Sequence, residues 1–345
     1  MRAYHSSASL LHTPVSFSRR GATVAHPEAV ERYIVLHRAL LEGGFDVRET
    51  EDHGVGPLRA VHAQEYLDFL SSAWERRVEI DTTLTELLPT LFARPQMHRR
   101  PTGLLALLGY YIADTATAIR EGTWAAAYGT AQAAVSAADT ALADGCAYAL
   151  CRPPGHHAYA DCAGGFCYIN NTAVAAQRLR SQTAGRVAVL DLDVHHGNGT
   201  QGIFYERSDV LTISIHADPS NYYPCYAGYA EECGSSDGAG CNLNLPLPYE
   251  TGDAAFLEAL GMALQRIRQF APAALVIALG LDAAQDDPLG AFKITREGFV
   301  AAAGAAAGLR VPTAIVQEGG YLSPALPANL TAFLRAFQDA AYAVR

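Results

Sequence analysis

From Ala125 onward, short apolar, β-branched runs alternate with alanine-rich segments of helical period, and few architectures accept that alternation. Apolar runs with no polar residue at every second position are buried on both faces, as in a parallel sheet covered by helices on each side. Strands are expected near Ala147–Cys151, Val187–Leu190, Val210–Ile215, Ala274–Leu279 and Thr313–Val316. Helices are expected near Thr123–Ala143, Ile169–Arg180, Asp253–Phe270 and Thr295–Gly308. The chain has 345 residues, half of them apolar, and shows no repeat, low-complexity linker or clear domain boundary. These features predict an α/β fold with a central parallel sheet and helices on both faces; the length alone would suggest two domains, but α/β folds often run longer, so a single domain over 1–345 stays open and is the expectation. The segment from about Glu79 to Arg100, with its charges, Pro89 and Pro95, reads as an inserted excursion.

Composition removes several function classes. A formal charge of −10, with no basic run beyond His98-Arg99-Arg100, disfavours nucleic acid and anionic membranes as partners. Lys293 is the sole lysine, which rules out a GxxxxGK phosphate loop and leaves little room for lysine nucleophiles. Seven cysteines, an odd number without CxxC spacing, read as reduced thiols of a reducing compartment. With no apolar leader-like segment in MRAYHSSASLLHTPVSF and no run of about 18 apolar residues, a soluble cytoplasmic protein is expected.

The chemistry follows the strands. After the first expected strand comes Arg152-Pro153-Pro154-Gly155-His156-His157, and after the second Asp191-Leu192-Asp193-Val194-His195-His196. The third is followed by His216, the fourth by Asp282 and the fifth by Glu318-Gly319-Gly320-Tyr321. The carboxyl ends of parallel strands share one edge of the sheet, where ligands bind, so these residues should converge. Asp191, Asp193 and His195 have the same parity on an extended segment and project to one side. Two of them with Asp282 make a mixed nitrogen and oxygen set suited to Zn²⁺ or Fe²⁺, with a position open for water. His156 and His157 offer acid–base groups near neutral pKa, and the Tyr321 hydroxyl can donate to an oxyanion. Alone, a DxDxH is as easily a solvated turn and a histidine pair a satisfied core element. Five strand ends bearing catalytic residue types together are not readily accidental. His5, His12, His26, His37, His53 and His98 lack such context and read as structural or exposed. Gly234-Ser235-Ser236-Asp237-Gly238 matches GxSxG formally but follows no apolar strand, so a loop is expected there.

Taken in order, RPPGHH (152–157), GGFCYINN (164–171), LDLDVHHGNGT (190–200), LGLD (279–282) and EGGY (318–321) resemble the histone deacetylase and acetylpolyamine amidohydrolase superfamily, of arginase-like fold. The similarity runs from about Thr123 to the C-terminus. AVH (60–62) with YL (66–67), and GYY (109–111) with GTW (122–124), are similar to its bacterial acetylpolyamine amidohydrolase branch. The resemblance implies a metal-dependent hydrolase of linear amide C–N bonds acting through metal-activated water. Asp193, His195 and Asp282 would hold Zn²⁺, or alternatively Fe²⁺. His157 would be general base and then acid, with His156 assisting electrostatically, oriented by Asp191, and with Tyr321 polarising the carbonyl. Asn198 stands where some histone deacetylases have Asp, which gives His157 a neutral partner and lower basicity. Phe166, Gly165, Tyr223 and Leu105 would line a tunnel. A structural K⁺ or Na⁺ would sit on the segment of Asp191, Asp193 and His195 with Ser214 and Ile215. A homodimer is implied too, because that branch packs an insertion before GYY across a two-fold axis. The excursion, with Leu87, Leu88, Leu91 and Phe92, occupies that place.

The branch carries acidic side chains near the tunnel mouth, and an ungapped comparison places Leu105 and Ala116 at those positions. The expected substrate is therefore a small neutral N-alkyl or N-acetyl amide, with acetylated polyamines second; Asp114, Glu121 or Glu231 could restore a negative mouth. Three rival readings stand beside it: a histone deacetylase-like protein lysine deacetylase, an arginase-like ureohydrolase needing a second metal, and a non-catalytic ligand-sensing homologue. The last would be expected to have lost a ligand or the tyrosine.

Overall fold

The unbroken apolar runs become the middle of an eight-stranded parallel sheet. The computed structural model describes residues 1–19, 21–94, 96–97 and 99–343, so His98 lies outside the described residues. The strands are β1 (Arg2–His5), β2 (Ser16–Arg19), β3 (Ala22–Ala25), β4 (Asp46–Glu49), β5 (Cys146–Leu150), β6 (Val187–Asp191), β7 (Val210–Ala217), β8 (Asn242–Leu247), β9 (Ala274–Leu279) and β10 (Thr313–Gln317). The large sheet runs β4-β1-β5-β10-β9-β6-β7-β8, and every neighbouring pair in it is parallel.

The five expected strands occupy its centre, with ends within two residues of the sequence reading. The sequence reading missed β1, β4 and β8. Two of these are the outer strands, and β4, Asp46-Val47-Arg48-Glu49, carries no buried residue. An edge strand sheltered on one side only can be largely polar and so lacks the apolar signature.

Side-chain parity divides the core in two. Leu275, Ile277 and Leu279 of β9 join the core under helices Asp253–Phe270, Arg296–Ala307 and Leu326–Tyr342. Ala274 and Val276 face the other way, onto helices Thr123–Asp144 and Asn171–Gln182. Two helix starts fall one or two residues after the expected ones because capping side chains hold them. Asn170 accepts from the Ala173 N–H, and Thr295 from the Gly298 N–H. Among the described residues no helix is long and apolar enough to cross a membrane, and no cysteine is bridged to another.

Two pieces lie outside the large sheet. Strands β2 and β3 form an antiparallel hairpin. The excursion follows a 3₁₀ turn at Glu75–Glu79 and is tied back by a bridge between Leu87 and Ile119 and by Ala93 N–H donating to Gly109 O. Leu87 is buried, whereas Leu91 is 74% exposed.

Candidate active site

Asp193 and His195 follow β6, and Asp282 follows the adjacent β9. Their ligand atoms lie within 4.8 Å of one another. His195 Nδ1 is 3.1 Å from both Asp193 Oδ1 and Asp282 Oδ2. The Gly319 N–H donates to Asp193 Oδ2 at 2.7 Å, and the Val194 N–H to Asp282 Oδ1 at 3.1 Å, so backbone from two loops orients the carboxylates. A Cβ on Gly319 would lie 2.1 Å from Asp282 Oδ2 and 2.6 Å from Asp193 Oδ2, closer than any side chain tolerates. Burial, and then the charge of Asp193, push the Asp282 carboxyl up. Burial acts likewise on Asp193, but His156 and His195 overcome it and hold that group well below the carboxylate range. Two buried carboxylates in like-charge conflict beside an imidazole form a donor set that a divalent cation satisfies, so these residues fit a metal.

The acid–base pair stands next to them. Asp191 Oδ2 is 2.9 Å from His156 Nδ1. Burial alone would neutralise His156, but the charges of Asp193 and Asp191 outweigh it and raise the imidazole to about 10. His157 differs: burial, then the neighbouring His156 and His195, push it well below its ordinary value. Its Nδ1 lies 2.7 Å from Asn198 Oδ1. An amide oxygen only accepts, which assigns the proton to Nδ1 and leaves Nε2 as a base. Burial, and secondly the charge of Asp282, raise the Tyr321 phenol, which therefore stays a protonated donor.

Sequence reasoning missed the groups that tie these loops together. Glu318 accepts from the N–H groups of Gly155 and His156 at 2.6 and 3.0 Å and from the Thr172 hydroxyl at 2.6 Å. One carboxylate thus joins the histidine loop to the tyrosine loop. The buried Arg32 donates to the carbonyls of Glu318 and Gly320, and its guanidinium carbon stands 5.4 Å from the Tyr321 ring centroid. Glu318 was visible inside EGGY, whereas Arg32, in the helix Val30–Glu42, carries no local signal.

A cavity of about 250 Å³ opens above His157, His195 and Tyr321. Phe166, Gly165 and Tyr223 line it, joined by Tyr222, which stacks on His195 at 4.7 Å and 8°. Leu105, expected in the lining, is not there. It lies on the helix Leu104–Tyr111, whose Leu104, Leu107 and Leu108 point inward, and this phase leaves Leu105 about half exposed. Ala116 does line the cavity, whereas Asp114, Glu121 and Glu231 do not. Asp114 is taken up by the wall, with Oδ2 accepting from the Gly165 N–H at 2.7 Å and the Tyr223 hydroxyl at 3.0 Å. Phe17 and Arg19 of the hairpin also reach the cavity, a contribution the sequence reading did not anticipate. Asp191 and Ser214 pair in register on β6 and β7, and the Ser214 hydroxyl lies 2.8 Å from His216 Nδ1. Gly234–Gly238 is loop with a short 3₁₀ turn, and His12 and His26 are buried, held by Thr123 Oγ1 and Ala116 O. Replacing Gly319 with Ala should abolish binding of a divalent ion, read by calorimetry, with the circular dichroism spectrum unchanged; normal binding would contradict the cradle.

The chain is similar to known proteins over most of its length. The histone deacetylase domain model matches residues 26–337. An acetylpolyamine amidohydrolase of Burkholderia pseudomallei is 46% identical over 340 residues, 98% of each chain. Acetylpolyamine amidohydrolase 1 of Pseudomonas aeruginosa is 43% identical, over 89% of this chain and 90% of its own. A crystal structure of the acetylpolyamine aminohydrolase from Burkholderia pseudomallei superposes with a TM-score of 0.94 at 45% identity, covering 99% of both chains. With an arginase-like α/β fold and a deacetylase-type domain across most of its length, the chain belongs to the histone deacetylase domain family, alongside its acetylpolyamine amidohydrolases.

Proposed function

We propose that the protein hydrolyses the secondary amide bond of small N-acyl compounds, and that neutral N-alkyl or N-acetyl amides serve it at least as well as acetylated polyamines. The observation that carries this reading is the buried Asp193, His195 and Asp282 set at the floor of a cavity shared with His157 and Tyr321. Bound by those three side chains, a divalent ion, Zn²⁺ or alternatively Fe²⁺, would supply Lewis acidity toward the carbonyl and make water more acidic. The chain's own groups then divide the work. His157 takes a proton from the attacking water at Nε2 and returns it to the departing amine nitrogen as the C–N bond breaks. His156, kept cationic by Asp191 and Asp193, places positive charge behind it. The Tyr321 hydroxyl donates to the carbonyl oxygen, most strongly as that oxygen becomes an oxyanion.

Assembly and ion content belong to the same reading. Asp191, Asp193 and His195, with Ser214 and Ile215 beside them on β7, would hold a structural K⁺ or Na⁺ on backbone oxygens. Leu91 and Phe92 of the excursion, together with Met97 and Leu105, expose apolar surface, and we assign this face to a homodimer. A reducing cytoplasmic setting accords with seven unbridged cysteines.

The names of the relatives favour acetylated polyamines as the second substrate reading. The lining favours the first, because Ala116 stands in the wall and the Asp114 carboxylate is committed to Gly165 and Tyr223.

Tyr321→Phe, which deletes one hydroxyl, should lower kcat by about 10² or more with metal still bound; an unchanged rate would remove Tyr321 from the mechanism. His157 must be neutral to accept a proton. Its lowered pKa keeps kcat/KM level as pH falls to 6.5 and below, and Asn198→Asp should raise that pKa and move the acid limb upward. Light scattering at micromolar concentration should report a dimer, and a stable monomer would contradict that assignment. For substrate charge, kcat/KM for N-acetylputrescine should not exceed that for an uncharged N-alkyl acetamide of equal length; a hundredfold preference for the cation would establish the polyamine reading instead.

A further inference from the structure

We propose that Arg19 selects amides whose distal end is an anion, so that N-acylated amino carboxylates are better substrates than their neutral or cationic counterparts. This rests on the amidohydrolase reading and specifies the substrate class for the same cavity. Among the described residues, Arg19 is the only permanently charged side chain lining that cavity. Its neighbours there are aromatic or small and uncharged, Phe166, Tyr222, Tyr223 and Ala116 among them.

The hairpin fixes where the charge lies. Phe17 and Arg19 are two residues apart on β2, so both side chains leave the strand on the same side. Pairing with Val24 and Ala22 holds their register. The Phe17 ring meets Phe166 edge-on at 5.7 Å and 86°, which docks the hairpin onto the cavity wall. Arg19 therefore sits about 7 Å farther along the strand than the docked ring, on the exposed rim.

The carboxylates behind the cavity wall are hydrogen-bonded to the wall itself and form no ion pair with Arg19. Asp114 spends one oxygen on the Ala116 N–H and the Thr117 hydroxyl, and the other on Gly165 and Tyr223. Asp287 accepts from the N–H groups of Tyr321 and Leu289. Among the described residues no carboxylate lies within 4.0 Å of the Arg19 guanidinium nitrogens. An uncompensated guanidinium at the mouth of an apolar passage pairs in bidentate fashion with a carboxylate, gains nothing from a neutral end and repels an ammonium group. With the acyl group at the catalytic floor, the amine portion of the substrate extends toward this rim.

Three amides of matched length test the proposal: 4-acetamidobutyrate (anionic), 4-acetamidobutanamide (neutral) and N-acetylputrescine (cationic). An exposed ion pair is modest and salt-sensitive, so at low salt kcat/KM should fall about fivefold from anion to neutral amide and again to the cation, and the spread should shrink with added salt. Arg19→Gln should bring the anion-to-neutral ratio to within about twofold of one, and Arg19→Glu should invert the order, with thermal melts showing both variants folded. Turnover of the neutral amide by the native protein with no preference for the anion overturns this inference and leaves the amidohydrolase reading standing. A preference that persists in Arg19→Gln overturns it as well. Turnover of none of the three defeats the functional reading and the inference with it.

Discussion

Two carboxylates that repel each other, Asp193 and Asp282, are buried side by side at the carboxyl edge of the sheet, and the rest of the site is arranged around that conflict. Taking two such charges out of water is tolerable only where cations and backbone N–H groups surround them. His156 and His195 stand next to Asp193, and the Gly319 and Val194 N–H groups point at the pair. The requirement explains Gly319, since any Cβ there would occupy the space the carboxylate oxygens need. It also explains the opposite characters of two adjacent histidines. His156, facing Asp193 and Asp191, is held cationic, while His157, buried and beside the imidazoles of His156 and His195, is held neutral.

Adjacent parallel strands bring the loops together but do not by themselves set the distances between them. Those come from ties between loops. Glu318 accepts two N–H groups of the histidine loop, Arg32 donates to two carbonyls of the tyrosine loop, and Asp114 joins Gly165 to Tyr223 in the cavity wall. Each tie is made by an ionisable side chain whose hydrogen bonds lie within the protein, which places reactive side chains with little freedom to drift.

The central strands and the residues behind them were legible in the sequence for one reason. Strands buried on both faces need uninterrupted apolar text, and the polar groups at their carboxyl ends then stand out against it. β4 failed that criterion because an edge strand can be largely polar. Leu105 was misplaced by counting positions along an ungapped comparison, although the inward phase of Leu104, Leu107 and Leu108 could have warned against it. Phe17, Arg19 and Arg32 were invisible for a deeper reason. They reach the site through tertiary contact alone, and no spacing or motif near them encodes the approach.

The central claim is that one metal set, Asp193, His195 and Asp282, serves amide hydrolysis. The direct measurement is turnover of an N-alkyl acetamide by chelator-stripped protein as Zn²⁺ or Fe²⁺ is returned, with bound metal quantified in parallel. The account predicts no turnover in the stripped protein and a rise that levels at one divalent ion per chain. Turnover that survives stripping, or that requires two ions per chain, would contradict it.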